Sequence, residues 1–235
     1  MRCGKPATGW RARSPTRSAE LRSSPGLPRD IVDAGMLKLF IWLTLGAWAM
    51  GKAVPSLAAE GEELLGRRAP EWNAVDWLQS EPLQLADLRG RVVLIRWWTD
   101  TCPMCARSAP ALNEFHDLYA KRGLVVIGMY HPKPSTRQVS AEEIQKVVEQ
   151  RGFQFPIGLD LDWSNLRKFW LDGGRRRATS VSFLIDRQGR IRHIHPGPEF
   201  HKHGEGEHAQ CRFEYLELQH RIVELLYDPL LGGEK

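Results

Sequence analysis

No internal repeat at periods of roughly 20 to 50 residues runs through the chain, which excludes solenoid and propeller architectures. The longest uncharged apolar run, Leu39 to Gly51, falls short of the ~20 residues that a spanning helix needs. Cysteine is scarce, with only Cys3, Cys102, Cys105 and Cys211 in 235 residues, so sulfur chemistry is confined to few places. A positive surplus is missing where it would matter. Lys5 and six arginines against three acids give residues 1–35 a net +4, and Lys38 and Lys52 add 2; of the overall +5, −1 remains for residues 59–235. The basic charge belongs to the leading segment, and nucleic acid is dropped as a partner.

Residues 1–35, rich in Ser, Arg, Pro and Gly, have too little to bury and read as a disordered leader or an upstream extension. From Met36 the pattern changes: Lys38 gives a positive start, Leu39 to Gly51 an apolar centre, and "SLAA" a small-residue exit near Ala58. This layout predicts a secretory signal over 36–58, or a membrane anchor if it stays uncleaved, followed by an exported, periplasmic domain over 59–235. In an oxidising compartment a spaced cysteine pair is able to form a disulfide. With Cys3 removed, three cysteines remain and one, Cys211, is expected to be spare.

After a leading stretch that reads as a hairpin-rich extension, "RVVLIRWW" (91–98) has the β-branched and aromatic make-up of a buried strand. Leu112, Phe115, Leu118 and Tyr119 then recur at helical spacing from Pro103 to Lys121, stopped at Gly123, before a second strand, "LVVIGMY" (124–130). Ser140 and Glu143 have the spacing of a capping box ahead of a helix that ends at Gly152. "FPIGLD" leads into a helix with Trp163, Leu166, Phe169 and Trp170 inward and Gly173 and Gly174 as its stop. "SVSFLID" and "RIRHIH" are strands joined by a tight turn at Gly189, and 211–227 forms a last helix. The first two strands need a crossover and the last two do not, so the fold class is α/β with a small mixed sheet.

Between the first strand and its helix stands "CPMC", residues 102–105. With "RRAPEW", "LQLADLRGRVVLIRWW", Pro110, "FQFPIGLD" and "SFLIDRQGRIR", it makes residues 65–227 similar to the exported thioredoxin-like proteins of the TlpA and ResA type. The resemblance implies a thioredoxin fold, a central mixed sheet flanked by helices, and thiol:disulfide exchange with protein partners. It further implies a membrane electron donor that keeps the pair reduced, and service in cytochrome c maturation. No cofactor and no resident metal are called for.

The residues support this independently. Cys102 stands at the first turn of a helix, where the macrodipole and free N–H groups favour a thiolate, and Pro103 sits where its missing N–H costs nothing. Cys105, one turn on, is within reach of a disulfide. Cys102 is therefore expected to attack and Cys105 to resolve the mixed disulfide. A permanent clip is the bland alternative, but closing so short a loop removes little unfolded-state entropy. Trp98 and Thr99 flank the pair. Arg96 takes the strand position at which cytoplasmic thioredoxins carry a buried acid, and would stabilise a thiolate; Asp100 would oppose it. Ser180 falls where the family carries a cis-proline, three residues before Phe183. A cis bond before serine is costly, so a trans bond and an altered rim are expected.

Two other readings compete. A copper-binding or delivery protein would use the sulfurs with His131, His193, His195, His201, His203, His208 and Cys211, although the thioredoxin-fold copper chaperones are CxxxC proteins. A peroxiredoxin-like peroxidase would use Thr99, three residues before Cys102, with Arg96 beside the thiolate; Ile95 occupies the region where peroxiredoxins place a proline.

Overall fold

A computed structural model describes residues 60–227 apart from 74, 173–175, 177 and 205, so the expected leader and signal, the Gly173–Gly174 stop and Cys3 lie outside the described residues. The strand expected at 91–98 is β2, Val92–Trp98, buried along its whole length. It pairs in parallel with β3, Leu124–Tyr130, through helix α1, Pro103–Tyr119, which supplies the crossover. α1 tightens into a 3₁₀ turn at Ala120–Arg122 and stops at Gly123, whose φ of 109° is open to glycine. Helix α2, Ala141–Gln150, begins with both bonds of the capping box, Glu143 N–H to Ser140 Oγ and Ser140 N–H to Glu143 Oε2.

Strand β4, Ile157–Leu159, was not expected: "FPIGLD" is too short and too broken by Gly158 to show a strand pattern. It extends the sheet in parallel beyond β3 and pairs antiparallel with β1, Asp76–Leu78. The described part of the leading stretch supplies β1 and a bridge from Arg68 to Arg190. Helix α3, Ser164–Leu166, runs into a π turn at Arg167–Leu171. The hairpin β5, Ser182–Ile185, and β6, Ile191–His195, turns at Gly189, with φ 79°. Helix α4, Ala209–Tyr227, closes the described chain. The sheet order is β1-β4-β3-β2-β5-β6.

Alternation along β2 divides the core. Val92, Leu94 and Trp98 pack with Cys105, Leu112, Phe115, Ile144, Tyr215 and Ile222 from α1, α2 and α4. Val93, Ile95 and Trp97 pack with Trp72, Phe169, Trp170 and Phe183 on the opposite face. Arg96 has the same parity as Leu94 and Trp98, so its side chain enters the layer that holds α1. It is opposed by Ser182 on β5 and Gly128 on β3, and is 1% exposed.

Candidate active site

Cys102 leaves β2 by a short loop and becomes the N-cap of α1, in extended conformation, with Pro103 as the first helical residue. Its Sγ accepts the Cys105 backbone N–H at 3.3 Å, which satisfies one donor at the open helix end. Cys105 sits one turn further, close enough for each sulfur to shift the titration of the other. Both are free thiols. Access separates them: Cys102 is partly exposed, whereas Cys105 is 3% exposed and packs in the core beside Trp98.

The environment of Cys105 favours an anion. The hydrogen bond from Cys102 lowers its pKa to about 5; burial opposes this, and Arg96, the Ser180 hydroxyl and the Thr99 backbone add to it. Cys102 is pushed up, first by that same hydrogen bond and then by burial and by the charge of Cys105. The pair thus loses one proton readily, and the charge comes to rest on Cys105. The buried guanidinium of Arg96 is acted on by both sulfurs, Cys105 more than Cys102.

Arg96 donates from Nη1 to Ser182 Oγ and to the Gly197 carbonyl, both at 3.1 Å, and from Nη2 to the Pro198 carbonyl at 2.8 Å. Its carbon Cζ lies 5.3 Å from the Phe200 ring centroid. A second cation, Arg151, caps α2, donates to the carbonyls of Thr99 at 3.3 Å and Asp100 at 3.0 Å, and lies over the Trp98 ring. Asp100, expected to oppose a thiolate, is offset by Arg137, which donates to its two oxygens at 2.8 and 2.7 Å, and by the Tyr130 hydroxyl at 3.1 Å. Burial works against the Asp100 charge, but these bonds outweigh it and hold the carboxyl below its ordinary value.

Ser180 faces the pair, its Oγ 3.0 Å from Cys105 Sγ. As expected, the peptide before it is trans; Lys133–Pro134 is the one cis bond among the described residues. The loop is instead fixed by His131. Burial lowers this imidazole to about 4, so it is neutral at pH 7, and its Nε2–H donates to the Thr179 carbonyl at 3.1 Å. Sequence reasoning missed Arg137 and Arg151 and gave His131 a different task. The pairings span 37, 51 and 48 residues, and no local pattern announces them.

The competing arrangements are less well served. Thr99 is buried, and its hydroxyl bonds Asp100 at 3.2 Å and Thr101 at 3.5 Å instead of a cysteine sulfur. Of the histidine-rich tail, Glu199, His201, His208 and Cys211 place ligand atoms within 4.8 Å of one another. Cys211 Sγ lies 3.7 Å from His208 Nδ1 and 3.8 Å from Glu199 Oε1. His195 pairs with Glu214 at 2.9 Å, and His131 serves the Ser180 loop.

Comparison with known proteins places these features. The AhpC/TSA family matches residues 65–194. Protein DipZ of Mycobacterium tuberculosis is 31% identical over 144 residues, 60% of this chain but only 19% of DipZ, so the chain spans about a fifth of that relative. The thiol-disulfide oxidoreductase ResA of Geobacillus thermodenitrificans is 27% identical over 133 residues, 57% of this chain and 70% of ResA. In fold, the chain is similar to a thiol-disulfide isomerase from Corynebacterium glutamicum, with TM-score 0.53 and 23% identity over 68% of this chain and 97% of that one. A thioredoxin family protein from Chlorobium tepidum has TM-score 0.50 and 18% identity over 68% and 95%.

Proposed function

Since the chain belongs to the AhpC/TSA family, over a match that includes both cysteines and the strands around them, we propose that it is a thiol:disulfide oxidoreductase working through Cys102 and Cys105. The observation that carries this is the pair itself: two free thiols at the start of α1, the Cys105 N–H donating to Cys102 Sγ, one sulfur reachable and the other buried. The names of ResA and of the structural neighbours support the same chemistry and a protein thiol or disulfide as substrate.

In the oxidised state a substrate thiolate attacks Cys102 Sγ, the sulfur that solvent reaches, and Cys105 leaves as a thiolate. In the reverse direction the proton on Cys102 moves away, Cys102 attacks the substrate disulfide, and Cys105 then attacks Cys102 to release the reduced substrate. Trp98, Thr99, Pro103, Arg96 and Ser180 support the pair: Pro103 fixes the helix start, Trp98 walls the inner sulfur, and the other three bear on its charge. Residues 36–58 deliver the 59–235 domain to the periplasm, as a cleaved signal or an anchor. A membrane electron donor and cytochrome c maturation are the ResA-type implications for its partners.

The test is Cys105→Ala in the native host. Mixed disulfides through Cys102 should accumulate and vanish on reduction, and Cys102→Ala should yield none. If no adduct forms and the purified protein exchanges with no dithiol, the proposal is wrong.

A further inference from the structure

Arg96 is a buried cation, and among the described residues it forms no ion pair with a carboxylate. Its hydrogen bonds to side chain and backbone go to neutral oxygens, those of Ser182, Gly197 and Pro198. Glu214 contributes at longer range, but its own bonds are to His195 at 2.9 Å and Gln210 at 3.0 Å. Removing a guanidinium from water without a counter-charge is costly, and neutral carbonyls recover only part of that cost. The anion best placed to complete the balance is a cysteine thiolate: the Arg96 side chain enters the layer in which Cys105 is buried, and both sulfurs act on it. Arg151, packed on Trp98, feels the same two sulfurs, while the nearby acid, Asp100, is taken up by Arg137.

This charge exists only in the reduced protein. A disulfide is neutral, so oxidation leaves Arg96 without its counter-charge, and reduction restores it. An interaction present in one redox state alone shifts the equilibrium toward that state. Resting on the exchange function just proposed, we infer that Arg96 makes this protein a disulfide donor whose substrates are exported proteins with reduced dithiols. That direction is opposite to the donor-fed one that the ResA-type resemblance implies.

The step balances as follows. A substrate thiol gives up its proton and its sulfur bonds to Cys102 Sγ; the Cys102–Cys105 bond breaks, and that bond's electron pair departs on Cys105, beside Ser180 and the Thr99 backbone and under the influence of Arg96. The second substrate thiol loses its proton and attacks the first substrate sulfur, and Cys102 leaves and takes up a proton. The substrate dithiol has lost two electrons to form its disulfide, and the protein has gained them as one thiol, one thiolate and a released proton. A further turnover requires a second disulfide, that of a carrier protein or of oxidised glutathione.

The experiment uses the wild-type protein in its oxidised form, equilibrated at pH 7 with reduced thioredoxin, with acid-quenched thiols counted on each. We expect this protein to finish reduced and thioredoxin oxidised, by at least tenfold. In glutathione buffers, Arg96→Met should shift the equilibrium constant at least tenfold toward the oxidised form, equivalent to about 30 mV, while Arg96→Lys, which keeps the charge, should shift it less. Thiolate absorbance near neutral pH should fall in the Met variant and persist in the Lys variant. Exchange with thioredoxin that leaves this protein oxidised overturns the inference and spares the proposed function. A lack of any exchange overturns both. The wild-type measurement decides the direction even if Arg96→Met does not fold.

Discussion

The stability of the reduced protein relative to the oxidised one should depend on pH in a way that reports the Cys102–Cys105 pair. In the unfolded chain both thiols titrate near their ordinary value of 9.0, whereas in the folded, reduced protein Cys105 is lowered to about 5. Between those values the unfolded chain binds more protons than the folded one, so stability rises with pH. The Cys105 contribution is fully present above about pH 9 and is lost as pH falls through about 5. Cys102 is shifted the opposite way, so its contribution is present below about 9 and is lost above it.

The reduced-minus-oxidised difference should therefore climb from pH 5, at no more than about 1.4 kcal/mol per unit, and turn over near pH 9. Over the window the rise should be on the order of 2–5 kcal/mol. His131 and His193, both lowered to about 4 by burial, also raise stability as pH increases, but they do so in both redox forms and cancel in the difference. Urea unfolding with and without excess phosphine reductant, extrapolated linearly at each pH, gives the quantity directly. A flat difference, or one that falls between pH 5 and 9, would refute the placement of the charge on Cys105.

Two further outcomes concern the scaffold. Gly128→Ala should destabilise the domain by about 1–3 kcal/mol in urea, because its Cβ would lie 2.7 Å from Ile157 Cδ1 and 2.9 Å from Trp98 Nε1, neither at the end of a long flexible chain. Ser140→Ala removes the acceptor for Glu143 N–H at the start of α2 and should cost about 1 kcal/mol, seen as a melting temperature lower by about 2–4 °C, with exchange activity unchanged.

Much of this fold was legible locally. β2, α1, β3 and the final hairpin carry long apolar runs, a helical period and glycine stops, and a trans Ser180 follows from the cost of a cis bond before serine. β1 and β4 were not legible, because three-residue strands leave no period to detect and exist only by pairing with each other and with β3. At the site, the pair and its helix end were legible from "TDTCPMC". The electrostatic surroundings of the pair were not, because they are set by what lies below and beside the sulfurs. Arg96 could be flagged from its position on β2, but its lack of an acidic partner depends on Gly197 and Pro198, about a hundred residues away. Arg137, Arg151 and His131 arrive from three separate segments.

Arg96 also closes a ring of attachments. From β2 it grips Gly197 and Pro198; the next residue, Glu199, pairs with Arg107, and Arg107 lies on the helix that begins at Cys102. The guanidinium that biases the sulfurs is thus one of the fastenings between the sheet and the helix that presents them. A lineage that drifted toward a different redox poise by replacing this residue would have to refasten the helix in the same step.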